Sequence, residues 1–184
     1  PLLDPFSFIP NWRLDDLMLS FSTNGAGVGA HIDQYDVFLV QGNGRRRWRV
    51  GKPADYKEVF PHPKLRQIEG FDPVIDVVVE PGDVVYVPPG WPHDGATIED
   101  SLTYSVGYRA PDNLQLAESL AMMLDKGAHN YRFTDASRSM QSNRAWVNPS
   151  DVAILKQQLI DAINGEDFTL ALLEAMSEQG IPEY

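Results

Sequence analysis

Two short stretches of the chain carry side chains whose types and spacing suit metal chemistry. The first is Gly25-Ala26-Gly27-Val28-Gly29-Ala30-His31-Ile32-Asp33. In an extended segment residues i and i+2 point to one face, so His31 and Asp33 present an imidazole and a carboxylate side by side. The second is Gly82-Asp83-Val84-Val85-Tyr86-Val87-Pro88-Pro89-Gly90-Trp91-Pro92-His93. It sets a histidine just past a Pro/Gly turn that ends a buried strand. Together they offer two histidines and one carboxylate, a set that covers one face of an octahedron. The opposite positions stay open for substrate and oxygen, as in non-heme Fe(II) oxygenases. The chain has no cysteine, which excludes a thiolate metal site, a disulfide framework and a cysteine nucleophile. Any metal must rest on nitrogen and oxygen, and only His31, His62, His93 and His129 supply imidazole.

The run Arg45-Arg46-Arg47-Trp48-Arg49-Val50 is the third chemical feature. Alternation separates Arg45, Arg47 and Arg49, expected to form a solvated basic turn, from Arg46, which shares a face with Trp48 and Val50. A charge on an apolar face is costly without a partner. The planar guanidinium fits a carboxylate through two parallel hydrogen bonds. No acidic residue stands out as that partner, so a small dicarboxylate cosubstrate is expected at Arg46. Asp36, Asp94 and Asp100 could line an acidic mouth for a basic side chain, although solvated loop positions are the commoner place for such carboxylates. His62 and His129 read as loop residues rather than ligands, and Trp91 either shields the site or packs.

The elements that must position these groups change character near Pro111. Before it, β-type segments run over Leu17–Thr23, Tyr35–Val40, Arg46–Val50, Ile75–Glu80, Val84–Val87 and Thr103–Arg109. They are short and punctuated by Gly42-Asn43-Gly44 and Pro81-Gly82-Asp83, which reads as a barrel or sandwich. After it, Asp112 with Gln115 forms a capping-box pattern ahead of Leu116, Leu120, Met123 and Leu124 at helical spacing. A second helix is predicted from Asn148-Pro149 through Val152, Leu155, Leu159 and Ile163 to Gly165, and a third near Phe168–Met176. The expected organisation is a β barrel over residues 1–111 and a helical segment over 112–184.

The spacing of Gly82, Pro88, Gly90 and His93 is similar to the second motif of cupin barrels. His31-Ile-Asp33-Gln-Tyr-Asp-Val-Phe, followed by Gln41-Gly-Asn-Gly-Arg-Arg-Arg-Trp, closely resembles the JmjC-type ribosomal oxygenases, in particular their bacterial arginine hydroxylases. The resemblance implies a mainly β double-stranded β-helix (a jelly roll of the cupin and JmjC kind) with C-terminal helices that form a homodimer. It implies Fe(II) held by His31, Asp33 and His93, with 2-oxoglutarate and molecular oxygen as cosubstrates. Arg46 would bind the far carboxylate of 2-oxoglutarate, and Ser20 would place a hydroxyl beside it. The implied activity is hydroxylation of an arginine in a basic loop of a large-subunit ribosomal protein, number sixteen. Histidine hydroxylation, lysine demethylation or a non-catalytic cupin-like binding module are the alternatives. Members of the family carry further β-structure before the barrel and a winged-helix domain after the helices, so this chain is expected to be a trimmed piece.

Charge is consistent with such a partner. Fifteen basic and twenty-six acidic residues give a formal charge of −11, which disfavours direct nucleic-acid binding and suits a basic protein surface. No apolar run reaches membrane-spanning length. No basic region followed by an apolar run opens the chain, so a cytoplasmic location is expected.

Overall fold

The computed structural model describes residues 2–62, 65–127, 130–136, 139 and 145–178. His129 lies outside the described residues. Two compact units are present, one running up to Ala110 and the other spanning Pro111–Glu178.

The first unit contains β1 (Leu14–Ser22), β2 (His31–Ile32), β3 (Asp36–Asn43), β4 (Arg46–Gly51), β5 (Glu58–His62), β6 (Leu65–Ile68), β7 (Pro73–Val79), β8 (Val84–Val87), β9 (Pro92–Thr97) and β10 (Ser101–Tyr108). One four-stranded sheet has the order β1-β10-β3-β8, the other β2-β9-β4-β7, and β5-β6 form a separate hairpin. All neighbours in the two large sheets are antiparallel. The chain passes back and forth between the sheets, which makes the expected double-stranded β-helix.

Period-two alternation builds the core between them. Val37 and Leu39 of β3, Trp48 and Val50 of β4, Val79 of β7, and Val85 and Val87 of β8 form one buried cluster. Truncating Trp48 to Ala there would cost roughly 3–5 kcal/mol. On the outer face of the first sheet, Phe38 and Val40 pack with Val106 and Tyr108 beneath Leu3, Phe6 and Ile9. The rings of Phe6 and Phe38 lie 4.7 Å apart.

Strand β2 agrees with the extended reading of His31 to Asp33, whereas β5, β6 and β9 were not expected from the sequence. Strand β9 reads Pro-His-Asp-Gly-Ala-Thr, a composition with little intrinsic β preference. Its extended form is imposed from both sides, by β2 and by β4. Pro92 is tolerated because it opens the strand. His93 therefore sits just past the turn, as expected, but on a strand, and His62, expected in a loop, lies at the end of β5.

The second unit holds α1 (Asn113–Asp125), α2 (Pro149–Ile163) and α3 (Glu166–Glu178). The capping box forms: Gln115 N donates to Asp112 Oδ1 and Asp112 N to Gln115 Oε1, each at 2.9 Å. Asn148 caps α2 by accepting from Ser150 N at 3.0 Å, with Pro149 in the first turn. Met123, Ala162 and Phe168 make a small core. Leu155, Leu159, Ile163, Leu170 and Leu173 stay exposed. Among the described residues, no helix is long and apolar enough to cross a membrane.

Candidate metal centre

His31 and His93 are register partners across β2 and β9. Asp33, two residues beyond His31, returns to the same side. One ligand atom from each of the three lies within 4.8 Å of the others, the only such group among the described residues. Asp33 Oδ2 stands 3.8 Å from His31 Nε2 and 3.7 Å from His93 Nε2. Backbone carbonyls orient both rings: His31 Nδ1 lies 2.9 Å from Gly29 O, and His93 Nδ1 3.2 Å from Trp91 O. A carbonyl only accepts, so each Nδ1 carries the proton and each Nε2 turns a lone pair toward Asp33. Burial, and then the neighbouring His31, hold His93 below the usual imidazole pKa, which favours the neutral, ligating form.

A tight turn ties the third ligand to the second. Gly90 adopts φ 76°, a left-handed conformation open to glycine at little cost. Its amide donates to Asp33 O at 2.8 Å. The glycine of the Pro-x-Gly spacing thus joins the start of β9 to the end of β2.

Arg46 faces the same interior. It is 5% exposed, with no acidic partner among the described residues, and its Nε donates to nothing there. Its Nη1 donates to Ser20 Oγ at 3.4 Å and its Nη2 to Gly95 O at 3.5 Å, while Cζ lies 4.7 Å from the Trp48 ring centroid. Ser20 Oγ in turn donates to Thr103 O at 3.4 Å. Burial pulls the guanidinium below its ordinary pKa. A buried cation with polar contacts but no anion suits a carboxylate ligand.

The other arginines of the run correct the sequence reading. Arg45, Arg47 and Arg49 face solvent as expected but are not a free basic turn: Arg47 and Arg49 lie on β4, and the three pair with Glu99, Asp76 and Asp94 on the outer side of the second sheet. Asp36, Asp94 and Asp100, for which an acidic mouth was weighed against the commoner solvated loop positions, each have partners of their own. Asp36 accepts from Arg13 at 2.8 Å and from Tyr86 at 2.6 Å, Asp94 is held by Arg49, and Asp100 accepts from Asn24 N. Trp91 packs against the core cluster.

Two residues near the site were missed. Asp16 on β1 and the ring of Tyr35 both border the bare Cα of Gly107. Asp16 Oδ1 is buried there without a well-formed hydrogen bond among the described residues. Burial, then Asp15 and to a lesser degree Asp33, raise its pKa. Burial, Asp33 and Asp16 push the Tyr35 phenol up to about 12. Strand parity was the available signal, since Asp16, Met18 and Ser20 share one face.

The model of the JmjC domain matches residues 1–116. The chain belongs to the JmjC domain family. This JmjC chain is 44% identical over 164 residues to ribosomal protein uL16 3-hydroxylase of Escherichia coli, covering 89% of the chain and 44% of that protein. Among solved structures, it resembles the Escherichia coli ribosomal oxygenase YcfD in complex with cobalt and 2-oxoglutarate. There the TM-score is 0.79 at 40% identity, over 91% of this chain and 44% of that one. The YcfD complex with cobalt and succinic acid gives a TM-score of 0.84 at 40% identity, over 96% and 46%. The JmjC chain thus spans less than half the length of these relatives.

Proposed function

We propose that this JmjC barrel is the catalytic part of an Fe(II)- and 2-oxoglutarate-dependent dioxygenase that hydroxylates an arginine in a basic loop of ribosomal protein uL16. One observation carries the reading: a nitrogen–nitrogen–oxygen set and a buried arginine without an anion share one barrel interior. The donor set fits a metal, because both Nδ1 atoms are satisfied and both Nε2 atoms converge on Asp33. Relatives whose names include a uL16 3-hydroxylase and a ribosomal oxygenase bound to cobalt and 2-oxoglutarate support it.

His31, Asp33 and His93 would hold iron on one face and leave the opposite face open. Bound iron supplies the oxidative step, in which oxygen and 2-oxoglutarate give succinate, carbon dioxide and a hydroxylated substrate carbon. Arg46 would anchor the far carboxylate, with Ser20 beside it, which orients the keto acid end toward the ligand set. Trp48 and the valines around it exclude water from that contact. Asp16 favours arginine among possible targets, since a half-buried carboxylate with only the Gly107 backbone beside it suits a guanidinium and an aromatic neighbour such as Tyr35 suits its plane. The apolar side chains left exposed on α2 and α3 would pair two chains into a homodimer. A ribosomal protein as substrate sets the reaction in the cytoplasm.

The test is mass spectrometry of a uL16 loop peptide incubated with the chain, Fe(II), 2-oxoglutarate and oxygen. A gain of about 16 Da on arginine, matched by succinate, is expected of one inserted oxygen atom. Succinate without a modified arginine would remove the substrate assignment, and neither product would remove the activity.

A further inference from the structure

Position 95 lies on the interior face of β9, between His93 and Thr97, and faces Trp48 in the register of β4. Gly95 is not among the glycines with positive φ, so its backbone does not require glycine. The space does. A Cβ there would meet Trp48 Cη2 and Cζ3 at 2.7 Å and Arg46 Nε at 2.8 Å, well inside ordinary contact. Both side chains of β4 therefore cross β9 at the one place where it presents no side chain. Gly95 also accepts the Arg46 Nη2 hydrogen bond through its carbonyl. His93 belongs to the ligand set and Arg46 to the proposed carboxylate anchor, so a dicarboxylate joining them must pass over position 95.

We propose that Gly95 is a positioning residue for the cosubstrate: the missing side chain forms the slot that sets the Arg46 guanidinium and clears the path from it to His93. This rests on the 2-oxoglutarate reading above. The atoms a new methyl would strike belong to Trp48 and Arg46 and to no metal ligand, although the Trp48 ring lies 6.3 Å from that of His93.

The test uses the full 184-residue chain loaded with Co(II), with 2-oxoglutarate affinity read by calorimetry so that turnover is not needed. Gly95→Ala is expected to weaken 2-oxoglutarate by at least about tenfold, the scale of one mis-set hydrogen bond to a charged group. Co(II) affinity should stay within about twofold of the parent, since no metal ligand has changed. Unchanged 2-oxoglutarate affinity, or joint loss of metal and cosubstrate, overturns the proposal. If Gly95→Ala does not fold, Trp48→Phe and Trp48→Phe/Gly95→Ala decide it, because phenylalanine withdraws the ring atoms nearest the methyl. The double variant should bind 2-oxoglutarate at least about fivefold more weakly than Trp48→Phe, as Arg46 Nε is still displaced. Equal affinity overturns the proposal. A parent chain that binds Co(II) but no 2-oxoglutarate defeats the cosubstrate reading itself, whereas binding by the parent with no effect at position 95 defeats only this inference.

Discussion

His31 and His93 face each other as a register pair with ring centroids 4.2 Å apart, and the Asp33 carboxylate reaches toward both Nε2 atoms. Two adjacent strands, with Asp33 just past the end of β2, thus bring the three side chains together. Replacing any one by Ala should weaken Co(II) or Fe(II) binding by more than about 100-fold, since even groups that only hydrogen-bond a ligand matter 10–100-fold. Anaerobic metal titration checks this. A variant that kept parental affinity would show that the trio is not the ligand set.

Arg46 separates stability from binding. Arg46→Met fills a similar volume without the buried charge, so the ligand-free variant should be more stable by about 1–4 kcal/mol. Thermal unfolding would register this as a rise of several degrees. The same variant should lose 2-oxoglutarate binding by about tenfold or more. Added 2-oxoglutarate should therefore raise Tm for the parent and leave the variant unmoved; a shift in both would clear Arg46 of the anchoring role.

Asp16 predicts a pH signature. Burial raises its folded pKa above the ordinary 3.8, so the folded state holds its proton more tightly than the unfolded state. Stability from this group is complete below the unfolded value and is lost as pH climbs through the raised folded value. Asp16→Asn abolishes that loss. The variant should gain on the parent as pH rises from about 3.8, the unfolded value, toward neutrality, and denaturation at several pH values measures the gap. A gap that stays constant across the range would contradict the assignment. With an arginine peptide, Asp16→Asn should raise KM about tenfold or more, by loss of a charge-assisted hydrogen bond.

Leu159 on α2 is 53% exposed. Leu159→Glu should convert a dimer to a monomer in light scattering, because a charge at the centre of an apolar contact stays unpaired. Metal affinity of the barrel should be unaffected. A parent chain that is already monomeric would end the dimer proposal.

Legibility followed the locality of each signal. Strand β8 was readable to the residue because Pro81-Gly82-Asp83 and Pro88-Pro89-Gly90 bracket it. The inward direction of Arg46 was readable because parity alone decides it. The fates of its neighbours were not, since Arg45, Arg47 and Arg49 find carboxylates 54, 29 and 45 residues away. Only the sheet order brings those partners together. Strand β9 was hidden for a related reason, as its neighbours rather than its composition make it extended. Asp16 was masked by Asp15 beside it: the two are identical in type, the strand is irregular between Leu14 and Asp16, and Asp15 pairs with Arg109.

Strand β4 and Arg45 just before it sort four chemically identical side chains into two fates. Three guanidiniums are neutralised outside the barrel and one is kept inside without an anion among the described residues. A slip of one residue would turn every side chain to the opposite face. Arg47 and Arg49 would enter the apolar interior, Arg46 would face solvent, and the ion pairs to Asp76 and Asp94 would be broken. A chain folded out of register would therefore be both unstable and unable to receive a dicarboxylate at Arg46. The outer ion pairs act as a proofreading lock on the inner arginine: the same pairings that reject the wrong alignment deliver Arg46 to the cavity.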